Sequence, residues 1–403
     1  MIGTRPKVAD GSLRMNKKYI PYVVGIPNLS VGLLWAMNMS LIPLLVGTVT
    51  DSNSKLGILV GMGAFTGIFV QYLAGMISDR SKGKYGKRKP FMIGGAAMAA
   101  LFVALLPFQK AYAAMFAVAF LFYFSLNFFQ GPYYTLIPEV VEESQLGLAN
   151  GFSKIVSVLG SGIILLTGTR LWAINHSFPF LVAAALGLVS VLIGGILIRE
   201  NRENYTQPEK VSFDFMKYPS VIRLFVSVFF IFLSYGCITP FFVKYCISQL
   251  GFSANTASLG LFVLTIAGAV FAVPAGILSD RINRRFVLLS GTIIFAVGMT
   301  LAVLVKNVVG MYLLLALIGV GFICIQVTIY AILAEIAPAN RLGEFMGIMN
   351  LFISLSQWIA TLVMGYLLDS AGFGFFFPIA AAIMGIAVIL IFFSKFEKAA
   401  EVK

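Results

Sequence analysis

Charged residues are scarce in this 403-residue chain. Asp, Glu, Lys and Arg together make up 11% of it, and 59% of the residues are hydrophobic. A soluble protein of this size needs far more charged surface to stay in water. The shortage of charge excludes a large soluble domain and predicts a chain that runs mostly through a membrane.

Residues that carry catalysis or hold metal ions are also few. The chain has one histidine, His176, and three cysteines, Cys237, Cys246 and Cys324, which fall in apolar segments without metal or disulfide spacing. It has no phosphate-binding glycine loop and no set of nucleophile, base and acid. We therefore expect no enzyme activity, no metal, no cofactor, and an energy source other than ATP.

Long apolar runs fill the chain instead. A run of about 20 apolar residues is the length that crosses a bilayer as a helix. Twelve spans are predicted, at 20–49, 56–78, 90–108, 112–137, 146–169, 177–198, 221–248, 255–278, 286–305, 309–336, 342–368 and 373–394. Because twelve is even, both termini are expected on the same side of the membrane.

The net charge of +13 is spread unevenly between the two sides. One side receives only Lys55, Lys110, Arg170, Lys244 and Lys306, whereas nearly all other basic residues fall on the side of the termini. Positive residues are retained in the cytoplasm, so the pattern predicts cytoplasmic termini in an integral membrane protein. Short loops and termini point to a bacterial plasma membrane. The positive net charge is then explained by membrane topology, and we expect no nucleic acid as a partner.

The sequence contains one internal repeat. The segment GMISDR at 75–80 recurs as GILSDR at 276–281, and Glu139 near the end of span 4 corresponds to Glu335 near the end of span 10. A repeat with like orientation predicts two six-helix bundles related by an axis along the membrane normal. The predicted fold class is an all-α polytopic membrane protein of twelve transmembrane helices in two pseudo-twofold-related bundles.

The repeat also divides the chain. The first bundle is predicted at 20–198 and the second at 221–394, joined by a polar cytoplasmic linker at 199–220. Cytoplasmic tails are predicted at 1–19 and 395–403.

The segment GMISDRSKGKYGKRKP at 75–90 resembles the signature loop of the major facilitator superfamily. The resemblance implies a transporter whose two bundles rock about a central site. Ion pairs at the cytoplasmic helix ends would form a latch that holds the cytoplasmic gate closed. The predicted latch residues are Asp79, Arg80, Arg88 and Glu139 in the first half and Asp280, Arg281, Arg285 and Glu335 in the second. The alternative is a set of solvated charges that only fixes topology.

Three further segments, read together with GKRKP at 86–90, narrow the resemblance: GLLWAMNMSL at 32–41, VQYLAGMISDR at 70–80 and NFFQGP at 127–132. They are similar to motifs of the sucrose/proton symporters within the glycoside–pentoside–hexuronide cation symporters. The resemblance implies a sugar-type solute, with H+ as the candidate coupling ion. Tyr123 and Tyr134 stand where that branch has an aspartate proton carrier and an arginine, so facilitated transport stays open as an alternative.

In this superfamily, spans 1, 4, 7 and 10 line a central cavity, and their polar residues are the candidate substrate site. Lys154 adds a cation inside span 5, and its repeat equivalent in span 11 is Asn350. The full candidate set is Asn38, Ser40, Tyr123, Asn127, Gln130, Tyr134, Lys154, Tyr235, Thr239, Gln326, Tyr330 and Asn350. The alternative role for each of these residues is a structural hydrogen bond between helices. For Lys154, the alternative is that its side chain extends to the membrane surface or pairs with a latch carboxylate.

Three functions fit these features. The first is a secondary active or facilitative transporter that moves a small polar solute, sugar or glycoside-like, by alternating access. The second is an exporter of amphipathic metabolites, antibiotics or lipids, and the third is a non-transporting sensor, which would not need breakable latches. The expected partners are a small-molecule substrate, the lipid bilayer and H+ as a candidate ion, with the chain acting as a monomer.

Overall fold

The computed structural model describes residues 17–81, 86–198, 200, 214–338 and 341–396. In this part of the chain, twelve helices are long and apolar enough to cross a membrane, as the sequence predicts. They are α1 (Lys17–Gly47), α2 (Asn53–Asp79), α3 (Lys89–Phe108), α4 (Tyr112–Val140), α5 (Glu143–Ile174), α6 (Phe178–Leu197), α7 (Pro219–Ser248), α8 (Ala254–Arg281), α9 (Arg284–Ala302), α10 (Val308–Ile336), α11 (Leu342–Ala371) and α12 (Phe373–Phe393). Most residues of the predicted tails lie outside the described part of the chain, and of the predicted linker only 200 and 214–220 are described.

The bilayer sets the lengths of these helices. A helix rises 1.5 Å per residue, so α2, α4 and α10 run about 40 Å and extend past a hydrocarbon core of about 30 Å. The starts of α2 and α10 are capped by polar side chains. Ser52 accepts a hydrogen bond from the Lys55 amide at 3.2 Å, and Asn307 accepts one from the Gly310 amide at 2.7 Å. Such caps satisfy amides that have no partner within the helix.

Three spans are interrupted near the middle of the molecule. α1 changes direction at Ser40, where the backbone leaves helical geometry, and α7 breaks at a turn that includes Pro240. α5 contains a π-helical turn at Ile164–Gly168. By contrast, Pro132 lies inside α4 without ending it. The Thr135 hydroxyl donates back to the Gly131 carbonyl at 2.9 Å, in the turn that follows the proline.

Helices within each half pack with their backbones close together. A Cβ atom built on Gly131 of α4 would lie 2.3 Å from the Gln71 carbonyl oxygen of α2. A Cβ atom built on Gly319 of α10 would lie 2.3 Å from the Leu264 carbonyl oxygen of α8. The two halves, α1–α6 and α7–α12, therefore use the same device of small residues at helix crossings.

Among the described residues, the closest backbone contacts between the halves lie toward one end of the facing helices. A Cβ atom on Gly57 of α2 would lie 2.2 Å from the Thr361 carbonyl oxygen of α11. Toward the other end, a Cβ atom on Gly75 of α2 or on Gly347 of α11 would meet nothing within 4 Å. The halves therefore diverge toward the face on which α1 begins and α12 ends. We call this side the termini face and the other the opposite face.

The close packing of α1 on α5 gives the first prediction. A Cβ atom on Gly32 would lie 1.9 Å from the backbone oxygen of Ser157, which a rigid helix cannot yield, whereas a Cβ atom on Gly47 of the same helix meets nothing within 4 Å. We expect Gly32→Ala to lower the stability of the purified protein by about 1–3 kcal/mol. Thermal unfolding in detergent measures this, with Gly47→Ala as the matched control. Equal melting temperatures for the two variants would contradict the packing.

Candidate substrate cavity and gates

A cavity of about 600 Å³ lies between the two halves. This volume is within the range of small-molecule sites. Its polar lining comes from both halves: Asn28, Trp35, Asn38, Gln71, Asn127, Tyr134, Asn150, Ser153, Lys154, Ser157, Tyr235, Thr239, Gln326, Ser354, Gln357 and Thr361. Among the described residues that line it, none is an aspartate or glutamate. The cavity therefore offers amides, hydroxyls and aromatic rings together with a single lysine.

Asn127 fixes the α2–α4 side of the cavity. Its amide nitrogen donates to the Gly63 carbonyl at 3.0 Å and to the Thr66 hydroxyl at 2.9 Å. Its amide oxygen accepts from Gln71 at 2.7 Å. The two amides are thereby held in one orientation before any solute arrives, which reduces the entropy lost on binding.

Three of the predicted substrate residues lie behind the cavity wall. Tyr123 is buried, and its hydroxyl donates a short hydrogen bond to the Asn38 side-chain oxygen, so Tyr123 positions a residue that does line the cavity. Gln130 is buried beside Gln71. Ser40 forms a 2.5 Å hydrogen bond with Ser258 of α8, which joins the two halves.

The second half contributes an aromatic wall. The Tyr235 ring stacks on Phe322, with centroids 4.3 Å apart and planes 5° apart. The Thr239 hydroxyl donates to the Tyr235 carbonyl at 2.9 Å, next to the break in α7. Both residues line the cavity, as does Gln326 of α10.

Tyr330 and Asn350 pair with each other outside the residues that line the cavity. The Tyr330 hydroxyl donates to the Asn350 side-chain oxygen at 3.1 Å, and both residues are exposed. Tyr134, in contrast, lines the cavity. The structure thus brings together seven of the twelve predicted substrate residues: Asn38, Asn127, Tyr134, Lys154, Tyr235, Thr239 and Gln326.

Lys154 faces the cavity from α5. Asn150, Ser153 and Ser157 line the cavity with it, and these spacings of three and four residues place all four on one face of the helix. In the described part of the chain, no carboxylate lies within ion-pairing distance of Lys154. The alternative of a pair with a latch carboxylate is therefore not what the structure shows.

Hydrogen bonds between the halves close the opposite face. Asp369 at the end of α11 accepts from the Ser52 hydroxyl at 2.8 Å and from the amides of Asn53 and Ser54 at 2.6 and 2.8 Å. It thereby caps the first turn of α2 from the other half, where a negative charge also suits the helix dipole. Lys244 of α7 donates to the Asp51 carbonyl at 2.6 Å beside it. We call these residues, 51–54 with Lys244 and Asp369, the opposite-face gate.

The sequence analysis missed this gate. A signal was present, since Asp51 and Asp369 are the only acidic residues between spans on the side that carries few basic ones. An isolated carboxylate at the end of an apolar span indicates that it has a specific hydrogen-bonding or ion-pairing partner.

The first predicted latch is a buried cluster within the first half. Arg88 is 4% exposed and lies 2.6 Å from Asp79 and 2.6 Å from Glu139. Burial opposes the charge of Arg88, but the hydrogen bonds and charges of Glu139 and Asp79 outweigh it and raise the pKa of the guanidinium. The Glu200 carboxylate accepts a hydrogen bond from the backbone amide of Arg88 at 3.0 Å. These contacts connect α2, the start of α3 and α4.

The second latch is built on a different arginine from the one predicted. Arg284 lies 3.2 Å from Asp280 and 3.5 Å from Glu335. Arg285 instead donates to the carbonyls of Ile391 and Phe392 and ties α9 to α12. Arg284 follows Arg88 by 196 residues, the same offset that relates Glu335 to Glu139, and this signal could have identified it.

The two clusters also differ in exposure. The Asp280 and Glu335 side chains are 68% and 57% exposed, whereas the carboxylates of the first cluster are mostly shielded. Arg80 and Arg281 are exposed, and neither forms an ion pair with a described residue.

Comparisons with known proteins agree with this architecture. A family model described as the Major Facilitator Superfamily matches residues 26–219 and 224–403. An uncharacterized MFS-type transporter of Methanocaldococcus jannaschii is 23% identical over 380 residues, which cover 90% of this chain and 93% of that protein. A sucrose transport protein of Arabidopsis thaliana is 25% identical over 184 residues, which cover 41% of this chain and 36% of that protein.

A solved structure gives the same fold. The crystal structure of a nucleoside transporter superposes with a TM-score of 0.76 at 14% identity, over 94% of this chain and 98% of that one. The superfamily and these relatives are transporters, and the twelve apolar helices make this chain an integral membrane protein. The chain belongs to the major facilitator superfamily of membrane transporters.

Proposed function

We propose that this protein moves a small polar solute, sugar- or glycoside-like, across the membrane by alternating access. The observation that supports this most strongly is the cavity between the halves, with amide and hydroxyl groups from both of them. Amides and hydroxyls suit a polyhydroxylated solute, and the Tyr235 and Trp35 rings suit the apolar face of a sugar ring. The seven predicted residues that line the cavity are the proposed solute contacts. Ser40, Tyr123 and Gln130 would support the site from behind.

The described conformation would be one end state of the cycle. The opposite-face gate is closed by Asp369, and the helices diverge toward the termini face. The distribution of lysine and arginine supports a cytoplasmic termini face, so the cavity would open inward. Both facilitated movement and coupling to H+ remain compatible with a cavity whose described lining has no carboxylate.

Locking the opposite-face gate tests alternating access. The Ser52 and Asp369 side chains meet at 2.8 Å across the halves, so the variant S52C/D369C should form a disulfide when Cys237, Cys246 and Cys324 are replaced by alanine. The gate must open in each cycle. We expect oxidation to reduce vesicle uptake of radiolabelled sugars and sugar acids at least about tenfold, and reduction to restore it.

Each single-cysteine variant serves as a control for the loss of the Asp369 cap and for oxidation itself. If the oxidised, cross-linked protein takes up solute as fast as the same variant does without the disulfide, alternating access through this gate is contradicted.

Arg88 and Arg284 provide a matched pair for the latch residues. Arg88→Gln would remove the buried cation and leave Asp79 and Glu139 with Lys87, whose ammonium lies 3.0 Å from Asp79 and 3.6 Å from Glu139. Arg284→Gln removes a half-buried cation that pairs with exposed carboxylates. We expect losses of about 2–3 kcal/mol for the first variant, since Lys87 still offsets part of the carboxylate charge, and under about 1 kcal/mol for the second. Thermal unfolding in detergent measures the difference. A larger loss of stability for Arg284→Gln than for Arg88→Gln would contradict the conclusion that the shielded cluster contributes more to stability than the exposed one.

Export of amphipathic solutes is the second candidate function. A small apolar cavity of about 30 Å³ lies behind Tyr235, lined by residues such as Phe295, Met299 and Leu264. Tyr235 and Thr239 line both cavities, so an apolar group of a solute could enter here from the central one. Extrusion of the neutral dye N-phenylnaphthylamine from vesicles, without competition by sugars, would favour export over the first proposal.

A further inference from the structure

We infer that the solute carries an anionic group, a carboxylate or a phosphate, which Lys154 binds on the α5 side of the cavity. The inference rests on the proposed function, in that the cavity between the halves is taken as the solute site. It goes further by naming the charge of the solute and the end of the cavity that holds that charge.

The cavity carries an uncompensated positive charge. Lys154 lies eight residues after Leu146, the start of the regular helix, or about 12 Å along its axis. It is the only cation among the described lining residues, which include no aspartate or glutamate. A cation at this depth in a membrane protein is costly and normally has a counter-charge. Within the described residues, no side chain supplies one.

Two polar neighbours of Lys154 lie just beneath the cavity surface. Ser153 is 3% exposed and Asn28 is 8% exposed, and both line the cavity. The Asn28 side-chain oxygen has no hydrogen-bond partner among the described residues, and the Ser153 hydroxyl lies beside the Tyr133 hydroxyl, which itself donates to the Val24 carbonyl. The Asn28 amide nitrogen is already bound to the Ser153 carbonyl at 2.8 Å, which fixes the direction of its oxygen.

Lys154 and these two neighbours define the chemistry of the ligand. A lysine ammonium and a serine hydroxyl both donate to an anionic oxygen, and hydrogen bonds of this kind are the strong ones. The Asn28 oxygen is an acceptor, so it requires a donor such as a hydroxyl group on the same solute. The combination fits a hydroxylated organic anion better than a neutral sugar.

The internal repeat shows that this site is specific to the first half. The position equivalent to Lys154 is Asn350, whose side-chain oxygen accepts from Tyr330. The second half presents neutral groups to the cavity, among them Thr239, Gln326 and Gln357. The anionic group would therefore lie against α5, and the hydroxylated body would extend toward α7, α10 and α11.

Closure of the cavity would make the anion necessary. When the termini face closes, Lys154 loses water, and the free energy of an isolated buried cation rises steeply. A bound carboxylate or phosphate replaces that water with an ion pair. A neutral solute of the same shape leaves the cation unpaired, so the closed state should discriminate against it.

Matched pairs of charged and neutral solutes test this inference. Trp35 lines the cavity, so its fluorescence can report binding of glucuronate or glucose 6-phosphate against glucose, and of glycerol 3-phosphate against glycerol. In the wild type we expect the charged member of at least one pair to bind about 10- to 100-fold more tightly. K154Q should abolish this preference, and K154R should largely retain it.

K110Q is the control, since Lys110 is an exposed lysine between α3 and α4, outside the cavity. The ratio of charged to neutral affinities is the decisive quantity, because a purely structural role of Lys154 would weaken both members of a pair together. An unchanged ratio in K154Q, or no binding of any charged member at about 10 mM, would overturn the inference.

Movement into vesicles separates this inference from the proposed function. Uptake of neutral and charged members with equal affinity would support the transporter and overturn the anion site. Binding of a charged member that depends on Lys154, without its passage into vesicles, would support the anion site and contradict transport.

Discussion

The interior of a bilayer offers no water to backbone amides and carbonyls, and the rest of this structure depends on that constraint. Each span must satisfy its own hydrogen bonds as a helix. Where helical geometry fails, at Ser40 in α1 and around Pro240 in α7, the break lies beside the cavity or the contact between the halves. Polar side chains in the spans also find partners: Gln71 bonds to another helix, Thr300 bonds to a carbonyl of its own helix, and Gln326 faces the central cavity.

The packing of the helices would allow the two halves to separate and close without unfolding. Within each half, glycines bring backbones together, as Gly131 does at α2, and these contacts would not need to break. Between the halves, the closest contacts of the described residues lie toward one end, where Asp369 caps α2 through three hydrogen bonds. A helix cap contributes about 1 kcal/mol, which is strong enough to favour one state and weak enough to be reversed.

The two halves share a fold but have diverged in their electrostatics. The first half holds a buried cluster around Arg88 and places Lys154 in the cavity, while its repeat holds an exposed cluster around Arg284 and places Asn350 in the equivalent position. A pseudo-symmetric scaffold therefore presents an asymmetric site. In the proposed transport cycle, one half would recognise charge and the other would recognise hydroxyl groups and rings.

Sequence patterns alone determined the spans, their number and the repeat, because apolar length and charge at helix ends are local properties. The candidate lining residues on α1, α4, α7 and α10 came from the resemblance to the superfamily. The tertiary structure decided which side chains meet. It placed Tyr123 behind Asn38, selected Arg284 instead of Arg285, and joined Asp369 to Ser52 across 317 residues. Such contacts depend on how helices rotate and cross, and those angles follow from packing across the whole molecule, which no short stretch of sequence encodes.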